Sequence, residues 1–556
     1  MNNYYFDDES GCTVREKGSV NIANFGVELL GVNVYLQGNV IMQKKYLIRL
    51  YNLDFITEVE IDIKDIEKFN YSSVHDSLLL SPTLATAAKE MAYYIKSQSK
   101  EVRVKRIHLF SELGWHMVND RHFYCAGSTI IGACPENYKV LEELKKYNFE
   151  FDSTMSEMEC IKHILQLMSV NQKVCSVVFM TGMLGVLRQL FLDAGVNIPC
   201  CFYLFGASQT RKTAVSNFAT ALYNRSNLKN LSGISTLRVS STEFKTEECV
   251  AALKDATFIL DDLFKEKDNR TLRDYERRVR NIIRNFADNS PRTTTRSSHK
   301  NNSQIIITAE YLLKSKTDVG RLMVLEVTEP IDSKRLDICQ KTPLGVSSFY
   351  YHFIKWVAEK YEDIVEDIIR QFAIFRESSV NHLFGYERLY EQSFLLKYVF
   401  GLFLTYAKEV GYNIIDRQTA EKEFAEVLHE HFCKQIRIIK DLEKAEVEHV
   451  NFSRELIEML NNKTIIPGEK GDDCFKKGNY IYITNKYFGI KLREKFKQTF
   501  SAKRVSAYFN ERYISEVYPD NRQKRYNNKR YLKLSISELM KDAKDNSVDI
   551  NNLFYR

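Results

Sequence analysis

Apolar residues recur with different periods along the chain, and the changes of period divide it into regions. In the first 70 residues, runs such as 46–51 alternate apolar and polar side chains, which predicts strands with one buried face. Between about 200 and 330, short and strictly apolar runs end in polar residues, a pattern typical of fully buried strands. Long helical spacings follow from about 347 to 460. The pattern therefore predicts an α/β protein with several domains.

A polar turn that opens at Gly206 lies between one of these apolar strands and a helix. Glycine, four residues, a sixth position and then Lys-Thr is the spacing of a phosphate-binding loop, whose backbone N–H groups and helix N-terminus surround an anion. Lys212 is placed to reach the β- and γ-phosphates, and the Thr213 hydroxyl to ligate Mg²⁺. Arg211 occupies the sixth position, where glycine is usual, so a basic turn before an ordinary helix remains the alternative. The predicted nucleotide-binding residues are Gly206, Ala207, Ser208, Gln209, Thr210, Arg211, Lys212 and Thr213.

A second apolar run, 256–260, ends in the carboxylates Asp261 and Asp262. An enzyme with a phosphate-binding loop needs an acid at the end of a neighbouring strand to hold Mg²⁺. Asp261 suits that role, and Asp262 suits polarisation of the attacking water, a position more often taken by Glu. A buried strand followed by an acidic helix cap is the alternative interpretation.

Two further apolar strands complete the pattern. The run 304–307 ends in Thr308, Ala309 and Glu310, polar-ended as expected of a strand that senses a γ-phosphate. Arg321 directly precedes the last apolar run, 322–327.

Loop, acidic strand, polar-ended strand and Arg-led strand follow one another in the order typical of an AAA+ core. Over about 45–335, and most strongly over 202–327, the chain resembles the MCM-like AAA+ helicases of mobile elements and phages, which include replicative helicases of staphylococcal cassette elements. The resemblance implies ATP and Mg²⁺ as ligands and a ring, expected to be a homo-hexamer. It also implies catalytic roles for Asp262, Thr308 and Glu310, and an arginine-finger role for Arg321 on the neighbouring subunit's nucleotide.

The residue patterns and the resemblance together divide the chain. Alternation of apolar and polar residues predicts a β-rich N-terminal region in 1–150, and the resemblance implies an AAA+ core with its leading helices in 151–340. Helical spacing predicts a lid or connector in 341–462, and the strand, helix and hairpin patterns predict a winged-helix-like DNA-binding domain in 463–556.

A polar and basic tail, 291–302, precedes the sensor strand and lacks acidic residues. In MCM-like helicases the matching insertion is a hairpin that grips single-stranded DNA in the central channel. The resemblance therefore implies DNA contacts for Arg296 and Lys300, with Arg292 as a further candidate. A solvated polar loop is the alternative.

The clearest basic patch of the chain lies near its C-terminus. In a winged helix the second helix enters a groove and the hairpin straddles the backbone of a duplex. A solvated charged hairpin, or a wing that binds protein, is the alternative. The candidate DNA-binding residues here are Lys503, Arg504, Arg522, Lys524, Arg525, Lys529 and Arg530.

Composition narrows the class of protein further. A net charge of +7 is consistent with a nucleic-acid partner without requiring one. The eleven cysteines are scattered without a Cys-x-x-Cys or Cys/His cluster, which predicts no zinc site and a reducing, cytoplasmic location. The most apolar stretch, 174–192, is interrupted by Arg188 and Gln189, so we expect a buried helix there and no membrane segment.

Three functions remain open from the sequence. The first is an ATP-hydrolysing, ring-forming DNA helicase or translocase acting in replication of a mobile element or phage. The second is a nucleotide-dependent DNA-binding switch, origin-binding or defence-associated, with little turnover, which the unusual Arg211 keeps open. The third is a structural protein whose loop binds no nucleotide.

Overall fold

The computed structural model divides the chain into two compact units, Met1–Ile439 and Lys440–Arg556. The observed strands and helices confirm the predicted α/β class. The described residues are 3–37, 40–101, 105–198, 201–226, 234–265, 268–287, 292–293, 298–299, 302–379, 386–413, 416–447, 451–496, 502–511, 524–526 and 529–543.

The larger unit begins with a β-rich region. Its elements are β1 (Tyr4–Asp7), β2 (Cys12–Arg15), β3 (Val20–Ala23), β4 (Gly26–Gln37), β5 (Val40–Tyr51), β6 (Ile56–Asp62), α1 (Ala87–Glu101), β7 (Lys105–Phe110), β8 (Gly114–Val118), β9 (Arg121–Ala126), β10 (Thr129–Gly132) and β11 (Tyr138–Val140). They form the sheets β1-β2-β3, β11-β7-β4-β5-β6 and β10-β9-β8. Alternation along β5 buries Ile48 and Leu50 against Met91 and Ile95 of α1, which gives this region its core.

The central region of the unit is built on a parallel sheet, and β15 and β16 form a separate short hairpin beside it in the chain. The elements of this region are α2 (Glu157–Val170), α3 (Gln172–Val186), α4 (Arg188–Asp193), β12 (Cys201–Phe205), α5 (Lys212–Thr220), β13 (Thr236–Arg238), α6 (Glu243–Ala252), β14 (Thr257–Leu263), α7 (Asn269–Ala287), β15 (Arg292–Thr293), β16 (Ser298–His299), β17 (Gln304–Ala309), α8 (Lys316–Val319) and β18 (Leu322–Glu326). The strand order is β13-β14-β17-β12-β18, and all neighbouring pairs are parallel. The carboxyl ends of these strands therefore meet at one edge, which we call the carboxyl edge.

The β8–β9 hairpin is attached to this central sheet by hydrogen bonds around Asp255, the buried residue that precedes β14. The Trp115 backbone N–H donates to Asp255 Oδ2 at 3.0 Å, and the Tyr124 hydroxyl donates to the Asp255 carbonyl at 2.6 Å. The Trp115 indole N–H donates to the Val186 carbonyl at 2.7 Å. Trp115 thus joins the hairpin to the central sheet and its packing helix α3, rather than only filling a local β core.

Helices form the rest of the larger unit. The aromatic residues Phe349, Tyr350 and Phe353 are fully buried in the core of these helices. The helices are α9 (Ser333–Gln340), α10 (Gly345–Glu359), α11 (Tyr361–Ser379), α12 (Glu387–Glu409) and α13 (Arg417–Val447). The last residues of α13, from Lys440 onward, belong to the smaller unit.

The smaller unit has its own sheet and core. Its elements are α14 (Phe452–Asn461), β19 (Cys474–Lys477), β20 (Tyr480–Thr484), α15 (Asn485–Phe496), α16 (Ala502–Glu511), β21 (Lys524–Tyr526), β22 (Lys529–Ser535) and α17 (Ile536–Ala543). The antiparallel sheet has the order β19-β20-β22-β21. One face packs Ile483 and Leu534 against Phe488 and Phe509 of the helices, and the other buries the stacked rings of Phe475 and Tyr482.

Within the described ranges, no helix is long and apolar enough to cross a membrane. The apolar stretch over α3 is instead buried along almost its whole length beneath the central sheet. The cysteines that the structure describes are all free thiols.

Candidate functional site

The predicted phosphate-binding loop lies at the carboxyl edge of the central sheet. It begins where β12 ends and leads directly into α5. Gly206 donates its N–H to the Ala309 carbonyl at 3.2 Å, and a Cβ at this position would lie 2.3 Å from the Val327 carbonyl oxygen. Only glycine therefore fits where the loop passes between the ends of β17 and β18. Ala207, Ser208 and Gln209 are exposed to solvent at the tip of the loop.

Two loop residues adopt the left-handed conformation that glycine favours. Gln209 has φ +66°, and Arg211 has φ +65° and ψ +23°. A side chain in this conformation costs about 1–2 kcal/mol, so both residues are strained. The tight turn is thus formed without glycine at either position, which answers how the loop tolerates Arg211. The Arg211 guanidinium itself points outward and lies 4.0 Å from Asp337.

The Lys212 side chain is buried and lies inside the loop. Its ammonium donates to the carbonyls of Gly206 at 2.9 Å and Ala207 at 2.8 Å, and to the Thr210 hydroxyl at 2.9 Å. Burial lowers the pKa of Lys212, whereas the nearby carboxylates of Glu310, Asp261 and Asp262 raise it. The arrangement places one cation at the centre of the loop with three carboxylates around it.

Asp261 connects the loop to two strands. Its Oδ1 accepts hydrogen bonds from the Thr213 hydroxyl and the Thr308 hydroxyl, each at 2.5 Å. Because β17 lies between β12 and β14 in the sheet, the Thr308 side chain lies beside the acidic strand rather than at the far edge. The structure therefore brings together Thr213, Asp261 and Thr308, which the sequence separates widely.

Asp262 leaves the regular strand. It has φ +70°, at a bulge in the pairing of β14 with β17, and its N–H donates to the Thr308 hydroxyl at 3.1 Å. Burial raises the pKa of Asp262, as does the charge of Asp261, while Arg238 and Lys212 lower it. A carboxylate with a raised pKa is a better proton acceptor, which suits a group that polarises water.

Glu310 and Arg238 complete the carboxyl edge. The Glu310 N–H donates to the Leu263 carbonyl at 2.8 Å, which fixes the backbone just beyond β17. The Glu310 side chain is exposed, and its negative charge raises the pKa of both Lys212 and Asp262. Arg238 was not predicted from the sequence. It ends β13 directly beside Asp261, and only the pairing of β13 with β14 reveals it.

Arg321 lies at the opposite edge of the sheet. It precedes Leu322, which pairs with Cys201 at the start of β12, whereas the loop follows the end of that strand. Five strand residues at about 3.3 Å each separate the two edges by roughly 16 Å. The structure therefore does not bring Arg321 to the phosphate-binding loop of its own chain.

The predicted DNA-binding residues are placed only in part. Arg292 lies on the short hairpin β15–β16, of which the structure gives the backbone pairing, and Arg296, Lys300 and Arg522 lie outside the described residues. The backbones of Lys503 and Arg504 belong to α16, and those of Lys524 and Arg525 to β21. Lys529 and Arg530 begin β22 and are exposed, with Lys529 3.1 Å from Asp473.

The residues at the carboxyl edge fit a nucleotide with Mg²⁺. The Lys212 ammonium is surrounded by oxygen acceptors that a phosphate group can replace. The Thr213 hydroxyl and Asp261 carboxylate are oxygen ligands of the kind that Mg²⁺ prefers, and they are already adjacent. Among the described residues, no group of three or more His, Cys, Asp or Glu side chains is arranged to hold a metal ion, so a Mg²⁺ ion here would depend on the Thr213 hydroxyl and on oxygens of the nucleotide.

Comparison with known proteins shows which solved structures have a similar fold. No family model and no curated protein matches the chain. A solved structure described as "SCCmec type IV Cch - active helicase" is similar over 97% of this chain and 99% of that chain, with a TM-score of 0.54 and 11% identity. Another, "The X-ray structure of JCV Helicase", covers 40% of this chain and 69% of that chain at 14% identity, and its TM-score of 0.21 supports no argument. The first comparison shows that this chain shares the overall fold of a helicase.

Proposed function

We propose that this protein is an ATP-hydrolysing DNA helicase or translocase of the AAA+ type. The observation that supports this most strongly is the joining of Lys212, Thr213, Asp261 and Thr308 at one edge of a parallel sheet. These four residues supply what phosphoryl transfer to water requires, namely a cation for the phosphates, ligands for Mg²⁺ and a polar side chain that orients the acid. The fold shared with a helicase of a staphylococcal cassette element supports the same proposal.

In this proposal each residue has one task. Lys212 binds the β- and γ-phosphates, and Thr213 and Asp261 hold Mg²⁺, which when bound offsets charge on the phosphate oxygens. Thr308 holds Asp261 in place, and Asp262 accepts a hydrogen bond from the attacking water. Glu310 contributes negative charge that raises the pKa of Lys212.

The position of Arg321 supports assembly into a ring. Because Arg321 lies at the edge opposite to its own loop, it can reach a γ-phosphate only on another copy of the chain. A head-to-tail ring presents this edge of one subunit to the nucleotide of the next. We propose six copies, as the resemblance to MCM-like helicases implies, and a role in replication of a mobile element or phage.

DNA is the proposed polymer. The segment 291–302, with the candidate residues Arg292, Arg296 and Lys300, would contact a single strand in the central channel, and the basic wing of 463–556 would contact duplex DNA. Changing Arg296 and Lys300 to Ala should preserve basal ATP hydrolysis and abolish its stimulation by single-stranded DNA. Unchanged stimulation would remove the channel role.

The acidic site can be tested with a matched control. Asp261→Asn should reduce Mg²⁺-dependent ATP hydrolysis by at least about 100-fold while nucleotide binding persists, because the amide is a poor ligand for a hard cation. Asp337→Asn makes the same chemical change beside the loop, on an exposed side chain that lies 4.0 Å from the Arg211 guanidinium, and should have no effect. Equal activity of the two variants would contradict the assignment of Asp261.

A second candidate function is a nucleotide-dependent DNA-binding switch with little turnover. The strained Arg211 in the loop favours it, because glycine is usual at this position of a phosphate-binding loop. Tight duplex binding through the C-terminal wing, together with slow hydrolysis that DNA does not stimulate, would support this function over a motor.

A further inference from the structure

A buried ion cluster lies immediately before Arg321. Asp318 belongs to α8, and its side chain has no exposed surface. Two arginines of α7 converge on it. Arg284 donates to Asp318 Oδ1 through Nη2 at 3.0 Å and through Nε at 3.3 Å, and Arg280 Nε lies 3.1 Å from Oδ2 as an ion pair. Moving a carboxylate from water into the protein interior costs free energy, which the pairing with two arginines only partly repays. The burial of Asp318 therefore requires a structural or functional explanation.

Helix α8 cannot hold its own position. It has only four residues, fewer than the number at which a helix is stable in isolation. Ser315 caps its N-terminus, and the Asp318 side chain ties it to α7. The α8 backbone is therefore fixed by tertiary contacts, and the ion cluster is the contact that α7 provides.

Arg321 is oriented by the same short helix. Its guanidinium donates from Nη1 to the Thr317 carbonyl at 3.1 Å, and its backbone N–H donates to the Asp318 carbonyl at 3.0 Å. Thr317 and Asp318 are consecutive residues of α8. Any shift of α8 away from α7 would therefore displace both the backbone and the guanidinium of Arg321.

The cluster also extends along α7 toward the carboxyl edge. Arg280 donates from Nη2 to Glu276 at 2.8 Å, and the Tyr311 hydroxyl donates to the same carboxylate at 3.2 Å. Tyr311 directly follows Glu310. A series of polar contacts thus connects Tyr311, the residue that follows Glu310, with the helix that orients Arg321 of the same chain.

We infer that Asp318 is a positioning residue, which sets Arg321 for the nucleotide of a neighbouring copy through its ion cluster with Arg280 and Arg284. The inference rests on the trans role proposed above for Arg321. Arg321 touches the γ-phosphate in that role, and Asp318 acts only through it. A displacement of about 1 Å of a catalytic group can cost about 100-fold in rate, which is the effect that we expect when the cluster is broken.

The test is a double-mutant cycle on steady-state ATP hydrolysis by the full chain. Arg321→Ala should lower kcat about 1,000-fold or more, and Asp318→Asn about 10- to 100-fold with an unchanged KM for ATP, because the loop of the same chain is intact. In the Arg321→Ala background, Asp318→Asn should produce no further loss. Multiplication of the two losses in the double variant would overturn the inference.

Two additional variants separate positioning from folding. Arg284 is half exposed, so Arg284→Ala weakens the cluster while Asp318 keeps Arg280, and it should lower kcat in the same non-additive way. Arg284→Lys keeps the charge and should restore part of the rate. Arg277→Ala is the matched control, because Arg277 lies on the same helix, is 67% exposed and pairs with Asp274 instead. A decrease with Arg277→Ala equal to that with Arg284→Ala would contradict the assignment.

The outcomes also distinguish this inference from the proposed function. If Arg321→Ala leaves kcat unchanged, the trans role of Arg321 is wrong and the inference is overturned with it. If Arg321→Ala lowers kcat and Asp318→Asn does not, the proposed function stands and the positioning role is wrong. Molecular mass measured by light scattering with ATP should be unchanged by Asp318→Asn, and a loss of assembly would refute the positioning role in favour of an assembly role.

Discussion

Replacing Arg211 by glycine should stabilise the protein, although it removes a whole side chain. Arg211 is held at φ +65° and ψ +23°, where a residue with a Cβ is strained by about 1–2 kcal/mol. Glycine releases this strain but gives the unfolded chain more freedom, at a cost of about 0.4–1 kcal/mol. The Gly variant should therefore be more stable than the Ala variant by about 0.5–1 kcal/mol.

The comparison with Arg211→Ala isolates the backbone effect. Both variants lose the contact with Asp337, which at 4.0 Å between exposed side chains contributes little. Thermal unfolding without nucleotide should place the midpoint of Arg211→Gly about 1–2 °C above that of Arg211→Ala, given the size of the unit. An Ala variant as stable as the Gly variant would refute the left-handed conformation at this position.

Three more substitutions, the first with a control variant, test the loop and the central sheet. Thr308→Val removes a hydroxyl that bonds Asp261, and should lower ATP turnover about 10- to 100-fold; Thr257→Val, at a buried hydroxyl with no hydrogen-bond partner among the described residues, should leave turnover unchanged. Gly206→Ala would place a Cβ 2.3 Å from a backbone oxygen and should abolish binding of labelled ATP. Burial raises the pKa of Asp255 from 3.8 to about 6, so the native state binds more protons than the unfolded state between these values and stability falls as pH rises through this window. Asp255→Asn should therefore gain up to roughly 3 kcal/mol over the parent protein from pH 4 to pH 7 in thermal unfolding, and a constant difference would contradict the raised pKa.

Local patterns were sufficient to predict the strands that carry the site. An apolar run that ends in a polar residue marks a buried strand and its functional end, and β12, β14, β17 and β18 occur where this pattern predicts them. The loop motif alone predicts that Lys212 and Thr213 lie where the loop leads into a helix. The α/β class could be predicted for the same reason, because buried parallel strands have a distinctive composition, and the structure confirms it.

Contacts between distant segments could not be predicted in this way. The pairing of Arg284 with Asp318 depends on where α7 passes α8, and no local periodicity encodes it. The position of Arg238 beside Asp261 depends on the order of strands in the sheet. The sequence identified Arg211 as unusual, but only backbone angles show that its strain is conformational and that Gln209 shares it.

A DNA-dependent motor is tested by measuring ATP hydrolysis with and without single-stranded DNA, beside the Lys212→Ala variant. Lys212 is the only cation that the structure places inside the described part of the loop, so its loss should abolish hydrolysis. The parent protein should hydrolyse ATP, DNA should stimulate that hydrolysis strongly, and the variant should lack it. Full turnover by Lys212→Ala, or nucleotide binding with negligible hydrolysis by the parent protein whether or not DNA is present, would contradict the assignment of a DNA-dependent motor.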